Sequence, residues 1–316
     1  MRFQWLGPGE FALQTMVWAL AAPVGLFQVA HLYRGLGMSL HIALAIAPGG
    51  EPEPDRLATR LCEIWKQRGH WISLTSAPFV DADCVLLHID STIIEPEMIP
   101  KTPPTTLFLN KNVVDISKRR VSRNLVSPED EYAGPVIVKT NDNFAGVPIW
   151  PETKRHRIHK ALRHAANEKT WRYVHMIPRT TYPILQNKSE VPGWVWRRED
   201  IVVERFMAEM EDDLYVLRVW IFLGDREYGA KLYSRVPVVK SRGLVRYEYL
   251  TEFPEELRRE RERLGFDFGK FDYVHENGKP QLLDANSTPS IHGDLEPSPN
   301  LLNLADALPE LMAGRS

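Results

Sequence analysis

Cysteine is almost missing from this chain, with two residues in 316. Cys62 sits within a helical pattern and Cys84 opens an apolar run, and neither has a second sulfur or a histidine at metal-ligand spacing. That excludes a disulfide framework and a cysteine-based zinc site, and both thiols read as buried groups in a reducing cytoplasm. An excess of either charge is missing too. Lysine plus arginine number 39 against 41 aspartate plus glutamate, a formal net charge of -2, so the composition calls for no nucleic-acid partner.

What is present is enough apolar sequence for two or three compact lobes, which makes a soluble globular enzyme the default class. Residues 1–37 do not match the rest. Phe11 to Leu32 is nearly free of charge and long enough to span a bilayer, yet it holds Gln14, Gln28, His31 and a central Pro23. It has no strongly basic leader and no clean small-residue cleavage site. We treat it as an extension without a fold assignment, with Met38 a candidate initiator and a membrane role only if the extension is a real anchor.

From Leu40 the run LHIALAIA predicts a strand, and Leu57, Leu61, Ile64 and Trp65 recur at helical spacing after it. HWISLT, DCVLLHID and TTLFLN predict further strands, so residues 38–110 read as a small, mostly parallel α/β domain. Asp115 is a candidate cap for a helix ISKRRVSRNLV carrying Lys118, Arg119, Arg120 and Arg123. The strand GPVIVKT ends on Lys139, residues 141–150 read as a loop, and residues 151–166 as a basic helix. His156, His159 and His164 lie on that helix without a carboxylate or cysteine to complete a metal site.

IVVERFMAE predicts a buried strand, DLYVLRVWIFLGDREYGAKLYS a hairpin turning at Gly224–Asp225, and EELRRERERLG a charge-laced helix closed by Gly265. GKFDYVHENGKPQLLDAN predicts a second hairpin turning at Asn277–Gly278. Its arms bring Asp272 near Asp284, and Asp284 and Asn286 share a face because they are two residues apart on a strand. Three oxygen donors of this kind suit Mg2+, which takes one or two carboxylates together with phosphate oxygens and water. Alternatively, Asp284 and Asn286 simply start the turn at Thr288–Pro289. Lys139 and Lys118 are available for phosphates, and VVERFM supplies a backbone edge beside an apolar wall for adenine.

Taken in order from about Leu40 to Leu302, these segments resemble the ATP-grasp superfamily, close to its glutathione synthetase and RimK-type carboxylate–amine ligases. The resemblance implies an α/β plus α+β fold: a Rossmann-like N-terminal (pre-ATP-grasp) domain at 38–110, a small ATP-binding subdomain with a lid at 111–200, and a catalytic and metal subdomain with a C-terminal tail at 201–316. It implies phosphate contacts by Lys139 and by Lys118, with Arg119 or Arg120 as alternatives. It further implies adenine recognition through the backbone of Glu204, Arg205 and Phe206, a ribose contact by Glu209 or Glu211, and metal ligation by Asp272, Asp284 and Asn286. Arg218 would sit over the transferred phosphoryl group, with Arg235 or Lys240 holding the acceptor carboxylate, unless those two are a solvated strand edge. Two positions depart from the family pattern. Asp284 stands where glutamate is usual, and the loop TNDNFAG carries one glycine where several are usual, so Asn141 and Asn143 are the candidate replacements for backbone donors.

The implied activity is ATP- and Mg2+-dependent joining of a small-molecule or peptide carboxylate to an amine or thiol through an acylphosphate, in the cytoplasm, with a homodimer as one option. A small-molecule kinase and a non-catalytic nucleotide-binding scaffold are the alternatives. Trp194, Trp196, Arg197 and Arg198 are candidates for a substrate rim or, equally, for packing on the lid surface.

Overall fold

A computed structural model of the chain describes residues 39–51, 53–143, 167, 169–178, 181–240, 243–291 and 298–314. The extension 1–37, the predicted helix 151–166 and its three histidines lie outside the described residues.

The first sheet contains β1 (His41–Ala45), β2 (Trp71–Thr75), β3 (Cys84–Leu87) and β4 (Leu107–Leu109) in the order β2-β1-β3-β4. Every pairing in it is parallel. The central strands β1 and β3 are buried along nearly their whole length, which is why they read as unbroken apolar runs and not as alternating ones. Helix α1 (Leu57–Gln67) packs Leu57, Leu61, Ile64 and Trp65 onto one face, while Val80, Ile89 and Ile94 from connecting segments cover the other.

Helix α2 is four residues long, Lys118–Val121. The helix expected over 116–126 is therefore mostly absent, and the local polar chemistry explains it. Asp115 does not cap the helix; its carboxylate accepts from the N–H of Ser117, and Ser122 Oγ accepts from the N–H of Asn124 just beyond the helix. Both side chains give the backbone an alternative to helical bonding. Asn141 caps the helix from a distance, its carbonyl accepting from Lys118 N at 2.9 Å and its side chain from Arg119 N at 3.1 Å.

The second sheet is small and antiparallel, in the order β6 (Ile184–Leu185), β5 (Val136–Thr140), β7 (Ile201–Arg205). Alternation sends Val136, Val138, Ile201 and Val203 into a core with Trp171 of α3 (Trp171–Val174) and Trp194 and Val195 of α4 (Gly193–Trp196). Trp194 is thus a core residue, stacked on His175 with Arg198 over it. β7 closes this small sheet, so the sequence boundary drawn at residue 200 cuts through it. The other face presents Ile137, Lys139, Val202 and Glu204.

The third sheet is large and antiparallel: β11 (Leu244–Leu250), β10 (Arg226–Ser234), β9 (Leu214–Leu223), β12 (Phe268–Glu276), β13 (Lys279–Asn286), with β8 (Glu209–Glu211) beside the start of β9. Asn277 and Gly278 both have positive φ, 51° and 76°, the requirement of the two-residue turn that joins β12 to β13. Helix α5 (Glu255–Leu264), ended by Gly265 at φ 74°, covers Trp220, Phe222 and Phe271 on one face. Val219, Ile221, Leu223 and Phe268 point to the opposite face, where α6 (Pro299–Ala305) and α7 (Ala307–Ala313) join them to the first sheet and α1. Among the described residues no helix is long and apolar enough to cross a membrane.

Candidate active site

The β12–β13 register sets Asp272 directly opposite Asp284 and Lys270 opposite Asn286. Residues facing each other across two strands share a sheet face, and like charges there repel. Two cations relieve the repulsion. Lys118 Nζ, delivered by α2 against β13, lies 2.6 Å from Asp284 Oδ1, and Lys270 Nζ lies 3.1 Å from Asp272 Oδ1.

Burial pushes the Asp272 carboxyl above the usual range; the Lys270 charge pulls it back and the Asp284 charge raises it again. Burial works against the Lys118 ammonium, but the charge and hydrogen bond of Asp284, helped by Tyr182 and Glu204, outweigh it, so its pKa rises. Lys270 behaves alike: burial opposes its charge, and Asp272 and then Asp284 more than restore it. One oxygen stays unsatisfied. Asp272 Oδ1 is buried without a hydrogen-bond partner; Lys270 is close to it but aims its hydrogen bond at Oδ2.

The small sheet comes near the acid pair, since Glu204 and Tyr182 add to the field at Lys118. Lys139 Nζ lies 2.6 Å from Glu204 Oε2, a pairing that follows from register because Lys139 is opposite Val202 and Glu204 opposite Ile137 on the same face. Glu204 is 2% exposed, and its Oε1 is a second buried oxygen without a partner. The N–H of Arg205 donates to Asn124 O and that of Phe206 to Pro135 O, each at 2.8 Å. Those two donors, read from the sequence as an adenine edge, are already used by the fold.

A loop after β3 braces the end of β13 and the residue that supports Lys118. Asp90 Oδ1 accepts from Thr288 Oγ1 at 2.9 Å, and Thr288 N donates to Asn286 Oδ1 at 2.8 Å. Arg56 locks this arm by donating to Asp90 Oδ2 and to Thr288 O. Two residues on, Thr92 Oγ1 accepts from Asn143 N at 2.9 Å, and Asn143 Oδ1 accepts from Lys118 Nζ at 2.5 Å. Asn141 and Asn143 therefore position α2 and its lysine.

Arg218 is not brought to this place. It lies opposite Tyr273 and Lys231, on the α5 face of the large sheet, whereas Asp272 lies opposite Val219 on the other face. There Arg218 clasps Glu209 through Nε and Nη2, and Glu211 pairs with Lys231 and Tyr233. Glu209, Glu211 and Arg218 thus answer one another's charge, away from the acid pair. Arg235 is exposed at the end of β10, and Lys240 lies over the ring of Tyr182 at 5.4 Å. Lys270 was not singled out from the sequence, although standing two residues before Asp272 is signal enough for a shared face. Asp90, Thr92 and Arg56 carry no local signal, since their partners are remote in sequence.

No group of three or more His, Cys, Asp or Glu side chains able to hold a metal occurs among the described residues. Two carboxylates, one of them with an unsatisfied buried oxygen, and an amide nevertheless fit Mg2+, which needs few protein ligands when phosphates and water complete its shell.

No protein-family model matches the chain, and no curated protein matches it. Solved structures do, and the chain is similar to ATP-grasp proteins along most of its length. An ATP-grasp RimK-domain protein from Sphaerobacter thermophilus is 14% identical, with 78% of this chain and 91% of that chain covered and a TM-score of 0.42. The ATP-grasp ligase PsnB, solved with a phosphomimetic variant of its minimal precursor, Mg and ADP, is 12% identical, with 87% and 98% covered and a TM-score of 0.49. The macrocyclase MdnC from Microcystis aeruginosa, bound with the precursor peptide MdnA, is 9% identical, with 87% and 100% covered and a TM-score of 0.45.

Proposed function

We propose that the chain is an ADP-forming, ATP-dependent ligase that joins a small-molecule or peptide carboxylate to an amine or thiol. The observation that carries this reading is the cross-strand Asp272–Asp284 pair met by Lys118 and Lys270, with Lys139 on the small sheet. Such a set has no use in a core, where a buried charge cluster is a net cost. It suits a phosphoryl group, whose transfer depends on positioning and charge neutralisation.

In this reading Lys118 and Lys139 bind the phosphates of the substrate ATP, Lys270 stands where the acid's carboxylate meets the γ-phosphoryl group, and Asp272, Asp284 and Asn286 would hold Mg2+, which supplies further neutralisation of phosphate charge. A carboxylate oxygen of the acid attacks the γ-phosphorus, the bond to the β-phosphate oxygen breaks, and ADP leaves. The amine or thiol then attacks the acyl carbon, loses its proton, and expels inorganic phosphate. The chain's part is to hold both reactants in line and to exclude water. Adenine would rest beside the 204–206 crossing through groups other than the Arg205 and Phe206 N–H. The buried thiols of Cys62 and Cys84 suit a reducing cytoplasm.

The test is Mg2+-dependent formation of ADP and free phosphate in the presence of pooled carboxylic acids and amines, beside Asp284→Asn. Joint release of ADP and phosphate that the variant loses supports the ligase. ADP with phosphate retained on an alcohol would make the chain a kinase, and absence of nucleotide binding would leave a scaffold.

A further inference from the structure

The register of the large sheet continues the acid pair into a straight row. Asp284 is opposite Asp272, Asp272 opposite Val219, Val219 opposite Ala230, and Ala230 opposite Tyr249. All five share one face. Between the acids and Tyr249 the floor holds only the small side chains of Val219 and Ala230. The row on one side is Leu217, Leu232, Tyr247, and that on the other is Ile221, Tyr228, so larger apolar groups flank a low centre. Ile221 and Tyr228, and in part the floor residue Val219, pack against the core shared with the first sheet, whereas Leu217, Ala230, Leu232, Tyr247 and Tyr249 belong to none of the apolar cores among the described residues. Tyr249 is 63% exposed, its ring edge-on to Tyr247 at 5.5 Å. Three inter-strand steps make the trough about 14 Å long.

Resting on the ligase reading, we propose that this trough binds the acid to be activated, and that the acid has an apolar body, alkyl or aryl. Its carboxylate lies at the acid-pair end, where Lys270, beside Asp272 on the same face, supplies the cation, and its body lies over Val219 and Ala230 toward Tyr249. The direction of the trough assigns it to the acid and not to the nucleotide. Lys118 and Asn143 reach the acid pair from beyond the β13 edge of the sheet, while the trough leaves that pair the other way, across β9, β10 and β11. Among the described residues of these rows it carries no charged side chain past Asp272, so a polar or doubly charged acid gains nothing along it.

The experiment measures binding, not turnover, by titration calorimetry with Mg2+ and a non-hydrolysable ATP analogue present. The probes are 3-phenylpropionate and octanoate, against acetate and succinate. The apolar acids should bind about 10-fold or more tighter than the small ones, as burial of several methylenes requires. Ala230→Phe should remove at least about 10-fold of that binding and leave analogue affinity unchanged. Tyr249→Ala, at an exposed position that spares the fold, should cost a few-fold. Equal binding of all four acids, or loss of analogue affinity in step with acid affinity in Ala230→Phe, would overturn the proposal, the latter giving the trough to the nucleotide. Failure of wild-type protein to bind the analogue would instead strike the ligase reading; apolar acids still bound, and lost in Ala230→Phe, would leave the trough standing.

Discussion

The two faces of the large sheet carry charge in opposite ways. On the α5 face Arg218, Lys231 and Arg246 meet Glu209, Glu211 and Glu248 in a network that also engages Tyr233 and the N–H of His275. Arg246 also meets Asp212, so the charges of the set answer one another, and the one buried atom left without a partner there is a neutral ring nitrogen, His275 Nε2. On the other face the Asp272–Asp284 pair sits with Lys118 and Lys270, and Asp272 Oδ1 lacks a partner, as does Glu204 Oε1 on the small sheet. Buried polar atoms are almost always satisfied in a folded protein. On the site face the unsatisfied atoms are carboxylate oxygens, groups that attract a cation, and that difference marks it as the face built for something else to bind.

The largest effect should come from breaking the site face. Asp284→Asn keeps the shape and removes one charge, and Mg2+-dependent ADP release should fall by about 100-fold or more while circular dichroism shows an unchanged fold. On the α5 face the expected result is the reverse in kind. Arg218→Ala strands Glu209, whose side chain is 9% exposed, so urea unfolding should show a loss of about 3–5 kcal/mol, and the protein still folded should keep its affinity for Mg2+ and the ATP analogue.

Acid sharpens the comparison through His88, buried beside Arg56 and Asp90 at the support of the site face. Burial, and then the charge of Arg56, lower its pKa from 6.5 to about 4. Between those values the unfolded chain holds a proton that the folded chain rejects, so the stability contributed by neutral His88 is complete above about pH 6.5 and is lost as pH falls toward 4. The loss should approach roughly 3 kcal/mol, and His88→Phe should flatten the slope in denaturant unfolding measured across that window. The smallest effect belongs to Thr92. Thr92→Val removes the acceptor for Asn143 N and should raise the KM for Mg·ATP a few-fold, whereas Thr92→Ser, which keeps the hydroxyl, should restore it.

Much of this was legible in the chain itself. Alternating and continuous apolar runs disclosed the strands, Asn277–Gly278 the late hairpin, and the i, i+2 spacing of Asp284 and Asn286 their common face. Lys118 and Lys139 were found as cations at the ends of apolar or helical runs. What alternation alone does not determine is which face of one strand matches which face of the next. Arg218 and Asp272 lie on adjacent strands, and a shift of one residue in register decides whether they meet; in the fold they do not. The shortness of α2 escaped notice because the Asp115 and Ser122 side chains bond locally to the backbone, and the Asp90 and Thr92 contacts because they join segments far apart in sequence.

The most direct measurement is calorimetric titration of Mg2+ and a non-hydrolysable ATP analogue into wild type, Asp284→Asn and Arg218→Gln under one set of conditions. Binding by wild type and by folded Arg218→Gln, with binding by Asp284→Asn reduced about 10-fold or more, is the predicted result. Loss of binding in Arg218→Gln with Asp284→Asn unaffected would place the nucleotide on the α5 face and contradict the account.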